Sequence, residues 1–383
     1  MHFRPQWTFP KGDYQSAHDY DGGLEAVNPQ PNPWEFPFYG FEKGAFTEDN
    51  RVGPYGEYLK KHGFNVLDDP HSFTFGQHTT VQSAWPKEHH QTAWIANKAI
   101  DFLQDHSEET PFFMWVSFIH PHSPFNPPAP YDTMYDPKDM SLPIRSEEEI
   151  SKWPKVYQRR YKAKDGHHGG ISYSEFTDYD WQRLKAYYYG MIHFIDDEIG
   201  HILDALREKE ILDQTLIVFT SDHGEMMGDH HLLLKGTQYD CVTNVPFLFA
   251  PPKSELQNKK WNKLCQSIDI MPTILEYVNV PIPKGVQGQS ILSAFSDPSL
   301  TPYDDVLIEM SKDIRTLRTE KARISWHSND KEGELYDLEK DPYCLNNLWN
   351  ESEAISLKQR MMESLLDRMT CNQDPLQERK ALC

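Results

Sequence analysis

The chain has few cysteines, little positive charge and no long apolar run, and each shortage excludes something. Its five cysteines, Cys241, Cys265, Cys344, Cys371 and Cys383, are odd in number and never form CxxC. They therefore give neither a zinc-site signature nor a disulfide framework. Lys and Arg total 38 against 58 Asp and Glu, a net charge of −20. That balance excludes nucleic acid or an anionic membrane as the main partner. An anionic substrate would need positive charge gathered locally by a metal, Lys or His. No run approaches the ~18 apolar residues of a membrane span, and no basic stretch followed by an apolar one marks a signal peptide.

What is present is a globular composition, with 38% apolar and 13% aromatic residues over 383 positions. That length is enough for one large domain and a smaller one. Residues 1–90 are rich in Pro, Gly and aromatics and read as irregular surface around short elements. A helix is expected from about Thr92, with Ile95, Ala99, Ile100 and Leu103 on one face. "PFFMWVSF" (111–118), "TLIVFT" (215–220) and "VPFLFA" (245–250) read as short buried strands. A long helix is expected from about Asp180 to Lys209, with Ile192, Ile195, Ile199, Ile202, Leu203 and Leu206 as its apolar stripe. Another is expected at "SIDIMPTILEYV", with Asp269 as N-cap and Pro272 in the first turn.

Strands alternating with helices predict an α/β fold, a mostly parallel sheet with helices on both faces. From about Pro302 the segments become short and alternating: "DDVLIEM", "IRTLRTE", "KARISWHS", "GELYDLE". They predict a small C-terminal α+β subdomain with an antiparallel sheet and a last helix near 353–369. The expected division is 1–300 and 301–383.

In open α/β sheets reactive groups gather at the carboxyl ends of strands. There the first strand delivers His120 and His122, and the second delivers Ser221, Asp222, His223 and Gly224. A carboxylate beside an imidazole suits Mn²⁺, Zn²⁺ or Ca²⁺, though two ligands do not complete a site. Lys235, further along the same loop, is a compact cation suited to a phosphate or sulfate oxygen. Such groups together suit cleavage of an ester that releases an anionic fragment.

"TLIVFTSDHGEMMGDHHLLLKG" followed by "VPFLFAPP" resembles the metal-binding segment of the sulfatases in the alkaline phosphatase superfamily. "FFMWVSFIHPHSPF", "SIDIMPTILEYVNVPIPKGVQGQSIL" and "ELYDLEKDPYCLNNL" resemble further family segments in the same order, with Cys344 where an acidic residue is usual. The resemblance covers nearly the whole chain. It implies a sulfuric ester hydrolase with Asp222 and His223 as metal ligands, and Lys235 and His122 contacting sulfate, His122 also assisting the leaving group. A divalent metal is implied, Ca²⁺ first, with Mn²⁺ or Mg²⁺ as alternatives. The substrate would be a sulfated small molecule or sulfated saccharide. His at the second ligand position is similar to the choline-sulfatase and phosphonate-monoester-hydrolase branch, so a phosphonate or phosphate ester hydrolase is the alternative. A non-catalytic anion-binding remnant is a third reading.

The family's nucleophile is a formylglycine matured from Cys or Ser in a C/S-x-P-x-R motif, upstream of a G-K-x-H segment. None of the five cysteines here is followed by x-Pro. "MHF" resembles the tail of the G-K-x-H segment, which makes His2 its His. The expectation is a chain without the nucleophile, its Arg and two metal-ligand Asp, and hence with little turnover alone. "SLPIR" (141–145) fits the motif by letters but lies downstream of His122, the wrong order. Asp196-Asp197 are read as a helix's polar flank, because adjacent helical residues point about 100° apart. His120, His230 and His231 are read as supporting or surface groups.

Overall fold

The computed structural model describes residues 41–47, 53–65, 80, 82–107, 110–162, 173, 176–252, 259–310 and 313–372. The chain divides into two compact units, residues 1–142 with 163–215, and 143–162 with 216–383. In chain order the helices are α1 (Pro54–Lys61), α2 (Gln91–Asp105), α3 (Lys155–Lys162), α4 (Asp178–Glu208), α5 (Asp240–Thr243), α6 (Ile270–Tyr277), α7 (Leu292–Ser296) and α8 (Ile355–Cys371). The strands are β1 (Ile217–Thr220), β2 (Phe247–Ala250), β3 (Asp305–Met310), β4 (Ile314–Thr319), β5 (Ala322–His327) and β6 (Glu332–Asp337).

The first unit is built on α2 and α4. Thr177 caps α4 in a reciprocal capping box with Asp180, so the helix start is fixed by its own sequence. Ala96, Ala99 and Leu103 of α2 pack on Ile202, Ala205 and Leu206 of α4, with Phe112, Met114, Val116 and Phe118 against them. The buried row of α4 runs Met191, Phe194, Glu198, Ile202 and Ala205. Ile192, expected on that stripe, is instead exposed. Close packing sets the rotation of α4: a Cβ on Gly190 would overlap the Tyr131 carbonyl oxygen. From 111 to 118 exposed and half-buried residues alternate with period two, as in a strand. The segment pairs in no ladder among the described residues, so the expected strand is present in its side-chain pattern only.

In the second unit β1 and β2 pair antiparallel, Phe219 opposite Leu248 and Val218 opposite Phe249. The ladders of the described residues are antiparallel throughout, and an isolated parallel bridge joins Thr80 to Phe125. The mostly parallel sheet expected from the strand–helix alternation is therefore not seen in these residues. The physical reason is local: 221–246 returns as a loop with the four-residue α5, not as a helical crossover. Asp269 does precede α6 as expected, but its side chain makes no cap bond. It is buried and accepts from Gln266 N, Gln289 N and Tyr303 Oη. The four strands β3–β4–β5–β6 form the expected antiparallel meander. Leu317, Ile324 and Leu335 pack beneath α8 through Met361 and Leu365.

One face of the β1–β2 pair is covered, Phe249 meeting Tyr277 edge to face and Phe295 at a tilt. On the other face Phe219 and Leu248 are 38% and 62% exposed. Two apolar side chains paired on an open face favour self-association. Leu248→Thr is expected to lower binding of a hydrophobic dye and concentration-dependent light scattering. Unchanged values for both would show that this face does not drive association.

Candidate active site

β1 ends at Thr220, and the chain turns at once through Ser221, Asp222 and His223. Ser221 Oγ donates to the His223 carbonyl at 2.9 Å, and His223 N donates to Asp222 Oδ1 at 2.9 Å. His223 Nδ1 lies 2.9 Å from the Gly224 carbonyl oxygen. A carbonyl only accepts, so Nδ1 carries the proton and Nε2 the lone pair. Nε2 faces Asp222 Oδ2 at 3.5 Å. Two ligands held about 2.0–2.4 Å from one cation lie roughly 3–3.5 Å apart at near-right angles. This donor pair therefore fits two positions around a divalent ion. No cluster of three or more His, Cys, Asp or Glu suited to a metal occurs among the described residues.

After the pair the backbone is locked to α5. Gly224 N donates to the Val242 carbonyl at 2.7 Å and Glu225 N to that of Cys241 at 3.0 Å. A Cβ on Gly224 would run into the Cys241 carbonyl oxygen, so only glycine allows this approach. The loop then takes a left-handed backbone at Met227, Gly228, His230, His231, Leu234 and Gly236. Bulky residues hold that conformation only where tertiary contacts impose it. Here Asp229 Oδ1 accepts from Ile144 N, His230 N donates to Ile144 O, and Arg160 donates to the Leu233 carbonyl. His230 lies on the Tyr239 ring at 3.7 Å and 11° and meets Glu149 at 2.6 Å. His231 reaches the Ser146 carbonyl. Both histidines are buried, so they are structural pins and not the surface groups that were one expectation.

Lys235 closes the loop. Burial pushes the Glu225 carboxyl up to about 7, while two backbone N–H bonds, Arg160 and Lys235 pull it the other way. Asp240, first residue of α5, is covered as well. Burial would raise its carboxyl, but Arg318 and Arg323 outweigh that and hold it below the usual carboxylate range. Burial pushes the neighbouring Cys241 thiol, and that of Cys344, up to about 12. Both are therefore poor nucleophiles.

His122 belongs to the first unit, in the Pro-rich loop after the 111–118 segment. Its N bonds the Ile119 carbonyl and its Nδ1 lies 2.7 Å from the Ser123 carbonyl, again placing the lone pair on Nε2. His120 is buried beside His90 and Thr92. His2 lies outside the described residues. A cavity of about 550 Å³ in the first unit is lined by Glu88, Asp196, Asp197, Glu198 and Asp204 with Lys87. That lining repels an anionic ester.

A sulfatase family profile matches residues 38–280, and one for the N-sulphoglucosamine sulphohydrolase C-terminal region matches 228–371. The chain belongs to the sulfatase family. It is 35% identical over 323 residues to an arylsulfatase of Clostridium perfringens, covering 82% of this chain and 65% of that one. In structure it is similar to the phosphonate monoester hydrolase of Agrobacterium radiobacter, with TM-score 0.72, 26% identity, and coverage of 84% and 69%. It also shares the fold of the phosphonate monoester hydrolase SpPMH of Silicibacter pomeroyi, with TM-score 0.77, 24% identity, and coverage of 89% and 73%. The sulfatase chain thus has the α/β fold of these hydrolases together with a C-terminal antiparallel subdomain. It spans about two thirds of the length of the arylsulfatase it matches.

Proposed function

We propose that this sulfatase chain carries the metal-pair and anion-binding part of a sulfuric ester hydrolase acting on a sulfated small molecule or saccharide. The observation that carries the reading is the strand-end turn in which His223 Nε2 and Asp222 Oδ2 converge at 3.5 Å. Asp222 and His223 would hold a divalent cation, Ca²⁺ first, then Mn²⁺ or Mg²⁺. When bound, such a cation draws negative charge off the sulfate oxygens. Lys235 binds a sulfate oxygen as a point charge. His122, whose Nδ1–H is held by the Ser123 carbonyl, would turn Nε2 to the leaving oxygen and, once Nε2 is also protonated, deliver that proton as the oxygen departs. The saccharide alternative is supported by the match of residues 228–371 to the N-sulphoglucosamine sulphohydrolase C-terminal profile. His2 would belong to the same anion-contacting set.

A phosphonate or phosphate ester is the second reading, supported by the 26% identity to the phosphonate monoester hydrolase. Release of 4-nitrophenol from its sulfate and its phenylphosphonate separates the two. The 383-residue chain alone is expected to release neither, because none of its cysteines stands in C-x-P-x-R and Ser141–Arg145, which fits S-x-P-x-R, lies downstream of His122. A version carrying an upstream C-x-P-x-R segment is expected to favour the sulfate, and Asp222→Ala to lower its kcat/KM by at least about 100-fold. Faster phosphonate cleavage supports the second reading. Turnover by the 383-residue chain would overturn the expectation that its nucleophile is lacking.

A further inference from the structure

Arg318 and Arg323 stand directly opposite one another across β4 and β5. Like charges so paired repel unless an anion lies between them. Asp240 is that anion: Arg318 Nη2 donates to Oδ2 at 3.0 Å and Arg323 Nη1 to Oδ1 at 3.2 Å. Arg323 is fully buried, with the Tyr239 ring 5.0 Å and the Tyr336 ring 5.8 Å from its guanidinium carbon. Its Nε and Nη2 find no hydrogen-bond partner among the described residues. Its charge also faces the buried Glu334, and such a buried ion group is weak evidence of stabilisation, because apolar residues replacing the whole group often serve as well or better. Its geometry is what it contributes.

That geometry leads to both ends of the candidate site. Asp240 begins α5, and the next two carbonyls, of Cys241 and Val242, take the N–H groups of Glu225 and Gly224. Those two residues directly follow His223. The Tyr239 ring beside Arg323 lies face to face on His230, in the loop that runs on to Lys235. We infer that Arg323, assisted by Arg318, is a positioning residue. Through Asp240 it fixes Asp222 and His223, and through Tyr239 it fixes the loop of Lys235. The inference rests on the reading of those three residues as the working groups.

Hydrogen–deuterium exchange on the full chain tests it, using Arg323→Met and Asp240→Asn. The amides of Gly224 and Glu225 are expected to exchange at least about 10-fold faster in both variants, while the β3–β4 ladder keeps its rates. Mn²⁺ should also bind about 10- to 100-fold more weakly, the usual cost of losing a group that orients a metal ligand. Unchanged exchange at 224–225 overturns the inference. So does a rise matched throughout β3–β4, which would mark Arg323 as merely stabilising. If Arg323→Met fails to fold, Asp240→Asn decides alone, since it keeps the side chain's shape and the residue is only half-buried. Asp222→Asn separates the two claims: Mn²⁺ binding that ignores Asp222 overturns the metal-pair reading, while the exchange result still decides the positioning role.

Discussion

Gly224→Ala is expected to destabilise the second unit by about 2–4 kcal/mol. The added methyl must displace the Cys241 carbonyl, which is backbone and cannot rotate aside. Overpacking of this kind costs about 1–3 kcal/mol. The Gly224–Val242 and Glu225–Cys241 hydrogen bonds are strained with it, at about 1 kcal/mol each. The displaced residues directly follow the Asp222–His223 turn, so Mn²⁺ affinity should fall together with stability. Gly200→Ala is the control. Gly200 lies within α4 with open space around its Cβ position, and alanine there should be neutral or stabilising by up to about 1 kcal/mol. Urea denaturation of the two variants measures the contrast, and equal midpoints would contradict the close approach at Gly224.

Glu334→Ala should be the more damaging change, at about 3–5 kcal/mol, the usual cost of removing one partner of a buried ion pair. Glu334 is 1% exposed, bonded to His327 Nε2 at 3.0 Å and to the Tyr336 hydroxyl at 2.8 Å. Burial alone would raise its carboxyl, but His327, Arg323 and Tyr336 outweigh it and hold it below the usual range. The sign of the pH dependence follows. A carboxyl whose folded value is depressed contributes stability above its ordinary value, near pH 4.3, and loses it as the pH falls through the folded value. Wild type should therefore lose more stability between about pH 5 and pH 3 than Glu334→Gln does. Parallel acid-unfolding curves would show that the pair carries no linked proton.

Much of this was readable in the chain itself. The apolar runs at β1 and β2 and the alternation of β3 to β6 act locally, so neighbouring residues suffice to announce them. The Thr177–Asp180 box, equally local, went unread, and the helix was expected to start at about Asp180. Asp222, His223 and Lys235 stood out because a strand-end turn concentrates unlike charges in few residues. The left-handed run from Met227 to Leu234 was not readable. Met, His and Leu give no turn signal, and contacts from Ile144, Glu149 and Arg160 impose the conformation from some 70 to 85 positions away. Arg323 was hidden for the same reason. In sequence it is one more charge on an alternating strand, and only the meander brings it to Asp240. Ile192 misled because a stripe drawn through every Ile of α4 is broader than the face the helix buries.

The most direct measurement is a Mn²⁺ titration of the 383-residue chain, followed by water-proton relaxation, beside Asp222→Asn and His223→Ala. The expected result is an enhancement in wild type that is lost in both variants while far-UV circular dichroism is unchanged. Superimposable titrations of all three proteins would contradict it.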